Sequence, residues 1–348
     1  MDDFEQLQFL GRGGYASVFL VRRSNSTQHF AIKRIPRAKI VTEQQKLRLD
    51  AEKSILLKIK SPFLCRGFQV FETTAEVSIL QEYIEGRALY ECIWKYRDTG
   101  RFPEHVAKFF AVQLVLALRD LHAQGYVHRD FKSGNVLVGK SGFVKVIDFG
   151  LSRKVVADGK VDDYSGRTQS VCGTHYVMAP EMFFKESYAF GVDWWSLGVV
   201  IYEMVVGRPP WEYQCPADST MEQYFTRIKC SAESPFETSD GQVETLARSL
   251  SPDLHSLIRA LLQINPRERL GKNRAVEVMN HTWFNDINWA LLDSKEGVTD
   301  SMAVPYDFNK DYNPARIRTS PGQGGARESL SSAESIDPED DAKYFADF

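Results

Sequence analysis

VHRDFKSGNVLV, from Val127 to Val138, sets a polar loop between two apolar runs. Asp130, Lys132 and Asn135 lie within it, so a carboxylate, an ammonium and an amide converge on one point. A D-x-x-x-x-N match alone is a common solvated turn. It gains weight because Asp148 follows thirteen residues after Asn135, in VKVIDFGLS, behind a β-rich apolar run and just before Phe149-Gly150. Two adjacent hairpin ends would bring Asp130, Asn135 and Asp148 together, and hard oxygen ligands beside a phosphate substrate are what Mg²⁺ uses.

Upstream stands LGRGGYASVFLV, Leu10 to Val21, with Gly11, Gly13 and Gly14, and Ala16 where a G-x-G-x-x-G loop would carry its last glycine. Alone it reads as two short strands joined by a glycine turn, either a plain hairpin or a cover for a nucleotide. Lys33 sits in the strand-like HFAIKRI, 22 residues after Gly11. A lysine inside an apolar strand is costly to bury without a partner, and Glu52, in the helix-like DAEKSILL, is available.

The rest of the chain frames these residues. LQFLGRGG, ASVFLVRR, HFAIKRI and VFETTAEVSILQEYI read as strands, interrupted by one helical pattern from Val41 to Lys60 that carries Leu47, Leu49, Ile55, Leu56 and Ile59. From about Pro103 the pattern turns helical: HVAKFFAVQLVLALRDLHAQG stops at Gly125, and WWSLGVVIYEMVVG and DLHSLIRALLQI follow. A β-rich smaller part therefore precedes an α-rich larger one, with a seam at Glu82 to Gly86. Residues 313–343 are rich in Pro, Gly, Ser and acid and cannot bury enough surface to fold alone. Tyr344-Phe345-Ala346-Asp347-Phe348 follow, an aromatic group after a solvated tether.

With 348 residues, 43% hydrophobic and 26% charged, the composition is that of an ordinary globular protein. A net charge of -3 gives no bulk attraction to nucleic acid. The five cysteines, Cys65, Cys92, Cys172, Cys215 and Cys230, lack zinc spacing and suit a reducing cytosolic or nuclear compartment. No apolar run approaches the roughly 18 to 20 residues of a membrane span, and Asp2 stands where myristoylation needs Gly, so no membrane anchor is expected.

The pieces GRGGYASV, FAIK, HRDFKSGN, DFG and APE (Ala179-Pro180-Glu181), with Asp193 in GVDWWSLG and Arg269 in NPRERLG, follow in order and at the right spacing. In these motifs the chain resembles the eukaryotic protein kinases over nearly its whole length. The resemblance implies an α+β bilobal fold: an N-lobe over 4–83, a C-lobe over 84–284, and a C-terminal tail over 285–348 wrapping back on the N-lobe. It implies ATP and Mg²⁺ as the nucleotide and metal, and protein substrates as partners. The loop Leu10, Gly11, Arg12, Gly13, Gly14, Tyr15, Ala16, Ser17 and Val18 would cover the phosphates, with Lys33, held by Glu52, on the α- and β-phosphates. Asn135 and Asp148 would hold Mg²⁺, Asp130 would orient the substrate hydroxyl and take its proton, and Lys132 would neutralise the transferred group. Val18 and Ala31 would sandwich the adenine, Glu82 to Ile84 would offer hinge hydrogen bonds, and Gln81 would be the gatekeeper. Glu181 with Arg269, and Asp193 behind His128 and Arg129, are implied to be structural; Trp194 and Trp195 are core.

CGT before APE, the stretch NHTWFNDINW and the aromatic tail are similar to the AGC group, closest to cores of cyclic-nucleotide-dependent kinases. That likeness places Thr174 near Asp130 and Lys132, favouring Ser/Thr substrates. It puts an activating phosphate on Ser170, pairing with Arg129, Arg48 and Arg153, and docks Phe345 and Phe348 of FADF beside the 41–60 helix, with Ser335 as a weaker tail phosphosite. Acidic residues that read basic substrates in those relatives are here Ala88 and Gly134, with Glu203 retained. VADGKVDDYSG, residues 156–166, looks inserted. With no segment before the first strand, regulation is expected from the tail, phosphorylation by an upstream kinase, or a regulatory subunit. The alternatives are a pseudokinase scaffold, disfavoured by the complete set Lys33, Glu52, Asp130, Asn135 and Asp148, and a small-molecule or lipid kinase, disfavoured by the activation segment.

Overall fold

A computed structural model describes residues 3–155, 168, 170, 172–211, 220–230, 235–236, 241–292, 304–307 and 310–311. The strand-like runs of the first third become one antiparallel sheet of β1 (Phe4–Arg12), β2 (Ser17–Arg23), β3 (His29–Pro36), β4 (Gly67–Glu72) and β5 (Glu76–Glu82), in the order β1-β2-β3-β5-β4. β3 is central, which is why Phe30, Ala31 and Ile32 are buried in succession rather than alternately. Its register sets Lys33 opposite Val18 and Ile79, and Ala31 opposite Leu20 and Gln81.

The helix α1 (Glu43–Lys58) starts where the sequence gives it a capping box: the Thr42 hydroxyl accepts the Gln45 N–H, and the Gln45 side chain returns to the Thr42 N–H. It packs Leu49, Ala51, Ile55 and Leu56 inward and buries Glu52 with them. Leu47, read from spacing as part of that stripe, is 54% exposed.

The larger part is built on α3 (Glu104–Ala123) and α5 (Gly191–Val206), apolar on nearly every side and enclosed by other elements. Around them lie α2 (Leu89–Trp94), α4 (Pro180–Phe183), α6 (Met221–Cys230), α7 (Gly241–Ser249), α8 (Pro252–Leu261) and α9 (Ala275–Met279). α5 and α8 approach closely at Gly198, where an added Cβ would meet the Leu261 Cβ at 2.9 Å. Trp194 and Trp195 are fully buried, as the sequence implied. Val304 to Tyr306 return to this part, and Tyr306 packs among Tyr96, Phe102 and Phe110.

Short strands position the polar loops. β6 (Gly86–Ala88), β8 (Val136–Gly139) and β9 (Val144–Val146) form one small sheet, and β7 (Tyr126–Val127) pairs with β10 (Arg153–Lys154). The two pairings are nested rather than side by side. The Asp130–Asn135 loop leads from β7 into β8, and Asp148 leads from β9 toward β10, so one junction holds both. This corrects the expected pair of adjacent hairpins and reaches the same convergence. No helix among the described residues is long and apolar enough to cross a membrane.

Candidate active site

Lys33 links the two parts of the molecule. Its ammonium lies 2.6 Å from Glu52 of α1 and 2.8 Å from Asp148. Burial alone would lower its pKa, but Asp148 and then Glu52 more than reverse that, and the lysine is held charged. The Lys33 ammonium in turn holds Asp148 well below the usual carboxylate range, while burial pushes Glu52 up against the pull of Lys33. Phe149 is fully buried against His128, with ring centroids 5.5 Å apart. Gly150 follows because its N–H reaches Asp148 Oδ1 and a Cβ there would crowd that oxygen at 3.2 Å.

A second cluster forms around Asp130. Its Oδ1 accepts the N–H of Thr174 at 2.8 Å and the Thr174 hydroxyl at 2.7 Å. Lys132 Nζ lies 3.0 Å from Asp130 Oδ2 and 2.5 Å from Thr174 Oγ1. The Asn135 amide nitrogen donates to the Asp130 carbonyl and to Oδ2 at 2.9 and 3.0 Å. Gly173 makes this closure possible: it has φ +107, and a Cβ would sit 2.4 Å from the Arg129 carbonyl. Asp193 anchors the loop, accepting the N–H groups of His128 and Arg129 on Oδ2 and Oδ1 at 2.8 and 2.9 Å, with His122 Nε2 2.7 Å from the same Oδ2 as His128.

The donor set fits a hard divalent cation. With its NH₂ committed to Asp130, Asn135 is left its carbonyl oxygen as an acceptor, and Asp148 uses Oδ1 for Lys33 and Gly150, leaving Oδ2. Among the described residues no cluster of three or more His, Cys, Asp or Glu would hold a metal unaided. Two protein oxygens completed by substrate phosphates is how Mg²⁺ is commonly bound.

The glycine turn closes β1 onto β2, with the Gly13 N–H on the Ala16 carbonyl at 2.9 Å, and Lys39 donates to the Gly14 carbonyl. A Cβ at Gly11 or Gly13 would meet nothing within 4 Å, so internal packing does not demand glycine there. Leu10, Arg12 and Gly14 are exposed, Tyr15, Ser17 and Val18 half-buried, and the Ala16 methyl is buried. Gln81, Glu82 and Ile84 are half-buried at the connection between the two parts, with Ala31 buried beside Gln81.

Ser170 lies where the Arg129 guanidinium reaches it, at 2.6 Å from Oγ, and Tyr188 donates to its carbonyl at 2.6 Å. Arg153 reaches the cluster through Thr168, at 3.0 Å, with Thr168 Oγ1 3.2 Å from Ser170 Oγ. Arg48, expected beside them, makes no ion pair or hydrogen bond among the described residues. It lies on α1, four residues before Glu52. Tyr188 went unnoticed because a tyrosine in KESYAFG carries no local signal; it comes into place by bridging antiparallel to Thr168. Glu181 and Arg269 form a bidentate pair at 2.5 and 2.8 Å. Neither Ala88 nor Gly134 supplies a carboxylate, and a Cβ at Gly134 would approach the Tyr90 ring at 4.0 Å. Glu203 is buried in α5. The 156–166 stretch, Ser335 and the FADF end lie outside the described residues.

The protein kinase domain model matches residues 4–284. The chain is 32% identical to the cAMP-dependent protein kinase catalytic subunit of Dictyostelium discoideum, over 84% of this chain and 41% of that protein. It is 33% identical to cAMP-dependent protein kinase type 3 of Saccharomyces cerevisiae, over 84% of this chain and 67% of the relative. To RAC-beta serine/threonine-protein kinase A of Xenopus laevis it is 34% identical, over 92% of this chain and 63% of the relative. The chain spans about half the length of the curated relatives it matches.

Proposed function

We propose that this chain, which belongs to the protein kinase family, is an AGC-type serine/threonine kinase that moves the γ-phosphoryl of Mg-ATP to protein hydroxyls. The observation that carries the reading is the pair of bonded clusters, Lys33 with Glu52 and Asp148, and Asp130 with Lys132 and Thr174, whose two loops meet at one junction of the short strands. Family membership alone would allow a scaffold; a complete, mutually bonded set of charged groups favours chemistry.

Lys33, held charged by its two carboxylates, is aimed to meet the α- and β-phosphates, and the glycine turn from Leu10 to Val18 brings backbone N–H groups over them. Asn135 and Asp148 would hold Mg²⁺, which when bound draws off negative charge from the phosphate oxygens. Asp130 receives the substrate hydroxyl with Oδ1 already fixed by Thr174. As the hydroxyl oxygen bonds to the γ-phosphorus, the bond from that phosphorus to the β–γ bridging oxygen breaks, its electron pair stays on ADP, and the hydroxyl proton passes to Asp130. Lys132, between Asp130 and Thr174, offsets charge on the group in flight. Val18 and Ala31 would enclose the adenine, Gln81 would limit its depth, and Glu82 to Ile84 would bond its edge.

Thr174 at the floor of the hydroxyl site supports a Ser/Thr preference. With Ala88 and Gly134 in place of carboxylates, a demand for paired upstream arginines is not part of the reading. An upstream kinase acting on Ser170 is: a phosphate there adds nearly two negative charges beside the Arg129 guanidinium and within reach of Arg153.

The test is transfer of labelled γ-phosphate from Mg-ATP to a mixed peptide array, wild type against Asp130→Ala. The kinase reading predicts labelled Ser and Thr peptides with wild type and none with the variant. Equal labelling by both, or none by a wild-type preparation phosphorylated at Ser170, would refute it.

A further inference from the structure

Lys145 is a buried lysine that the transfer chemistry leaves without a task. It stands in the middle of β9, opposite Leu137 of β8, and is 9% exposed. Such a position is tolerated only with partners. Its ammonium lies 2.6 Å from Glu82 Oε1 and donates to the Leu64 carbonyl at 3.0 Å. The same Glu82 oxygen accepts the Arg66 N–H at 2.8 Å, and the Glu82 N–H donates to the Arg66 carbonyl at 2.8 Å. The 63–65 segment is itself bonded to β9: Cys65 N–H to the Val146 carbonyl, and Val146 N–H to the Phe63 carbonyl, both at 2.8 Å.

Glu82 is the last residue of β5 and the first of the connection to the larger part. It is therefore gripped from the side by a strand of that larger part. With the Glu82 N–H committed to Arg66, its carbonyl, which accepts from the Cys65 thiol at 4.0 Å, is the backbone group at this point that can accept from a ligand through its second lone pair. Burial raises the Cys65 pKa, so that neighbour is a neutral thiol. From Lys145 the chain runs through Val146 and Ile147 to Asp148, and the Ile147 N–H bonds the Asn135 carbonyl at 2.8 Å. One short strand thus fixes both ends of the nucleotide site.

We propose that Lys145 is a positioning residue for base selection: by holding the Glu82 carboxylate it sets the Glu82 carbonyl to accept the 6-amino group of adenine and to repel the 6-oxo group of guanine. This rests on the cleft being an ATP site. A carbonyl fixed in place accepts an N–H and cannot pair with a second carbonyl, so rigidity at Glu82 becomes selectivity.

The experiment measures kcat and KM with Mg-ATP and Mg-GTP for wild type, Lys145→Met, Lys145→Arg, Glu82→Gln and the double variant Lys145→Met/Glu82→Gln. Lys145→Met is expected to narrow the ATP-over-GTP ratio of kcat/KM by about tenfold, chiefly through KM for ATP, with kcat on ATP within about twofold. Glu82→Gln and the double variant show the same narrowing of the ratio, because the pair acts as a unit, and Lys145→Arg keeps most of the selectivity. An unchanged ratio, an equal loss of kcat on both nucleotides, or additive effects in the double variant would overturn the assignment. Should Lys145→Met fail to fold, Lys145→Gln and Glu82→Gln carry the same comparison. A wild type that uses ATP while the variants keep its selectivity sinks only this inference; a wild type that transfers from neither nucleotide sinks the kinase reading with it.

Discussion

Lys33 and Arg269 each meet a buried glutamate, Glu52 at 2.6 Å and Glu181 at 2.5 Å, yet their surroundings differ. Arg269 is fully buried and satisfied on all sides: two bonds to one carboxylate, further bonds to the Gln263 and Gly191 carbonyls, and the Trp195 ring 5.1 Å away. A planar fork on a planar carboxylate has one good geometry. Lys33 is a point charge shared between a helix and a loop, and one of its partners, the Asp148 side chain, is 51% exposed. Of the two carboxylates on Lys33, Glu52 is buried and Asp148 half-solvated, so the Lys33–Asp148 contact can be exchanged for another anion at lower cost than the doubly bonded Arg269–Glu181 pair.

The comparison breaks first at Arg269. Arg269→Met leaves Glu181 buried and unpaired, so urea unfolding should show a loss of about 3–5 kcal/mol, while whatever protein remains folded keeps its KM for ATP. A loss below about 1 kcal/mol would make this pair no more structural than the cleft pair.

Asp130→Asn tests the cleft from the side of the hydroxyl. It keeps an acceptor for Thr174 but loses the base, and kcat should fall by about 10²–10⁴-fold, with ATP affinity measured by calorimetry unchanged. Loss of ATP binding in step with kcat would place Asp130 in the nucleotide site instead.

Ala16→Gly sharpens the role of the loop. The Ala16 methyl is buried at 7% exposure, so its removal costs roughly 1 kcal/mol of packing and backbone entropy, and KM for ATP should shift less than about threefold. A bulky residue such as Phe at the same position should block ATP. A rise in activity by orders of magnitude for Ala16→Gly would mark the native loop as defective.

The smallest effect is on pH. Burial lowers the His128 pKa from its ordinary 6.5, against the opposing pull of Asp193, Asp130 and Asp148. As pH falls below about 6.5 the unfolded chain takes up the proton first, so stability declines with acid in that range. His128→Phe should flatten this part of the Tm–pH curve between pH 7.5 and 5.5; an unaltered slope would assign it to His175 and His281, which burial also lowers.

Much of this was readable before the fold. Four strand-like runs, the last of which the fold divides into β4 and β5, the helix bearing Glu52 and the Lys33–Glu52 pair follow from periodicity and from the cost of burying an unpaired lysine. Asp193 under His128 and Arg129, and Thr174 on Asp130, follow from the family resemblance. What stayed hidden depends on how elements sit on one another. Lys33 and Asp148 are 115 residues apart, and their contact exists only because β9 ends beneath β3. Lys145 in VKV looks like a solvated strand lysine until β9 is seen bonded to the 63–65 segment on one side and β8 on the other. Leu47 has helical spacing yet faces outward, because periodicity gives a stripe without its exact edges. Tyr306 gave no signal in the stretch between Trp289 and the 313–343 tether, and its ring is buried among three others.

Lys33→Met decides the account most directly, read as two numbers on one preparation: urea stability, and single-turnover phosphoryl transfer from Mg-ATP per folded molecule. Glu52 already has a raised pKa and can take a proton, and Asp148 is half in water, so the fold should lose well under half of what Arg269→Met loses. Transfer should fall by about 10²–10³-fold. A large stability loss with transfer per folded molecule unchanged would contradict the account, since Lys33 would then serve the fold as Arg269 does.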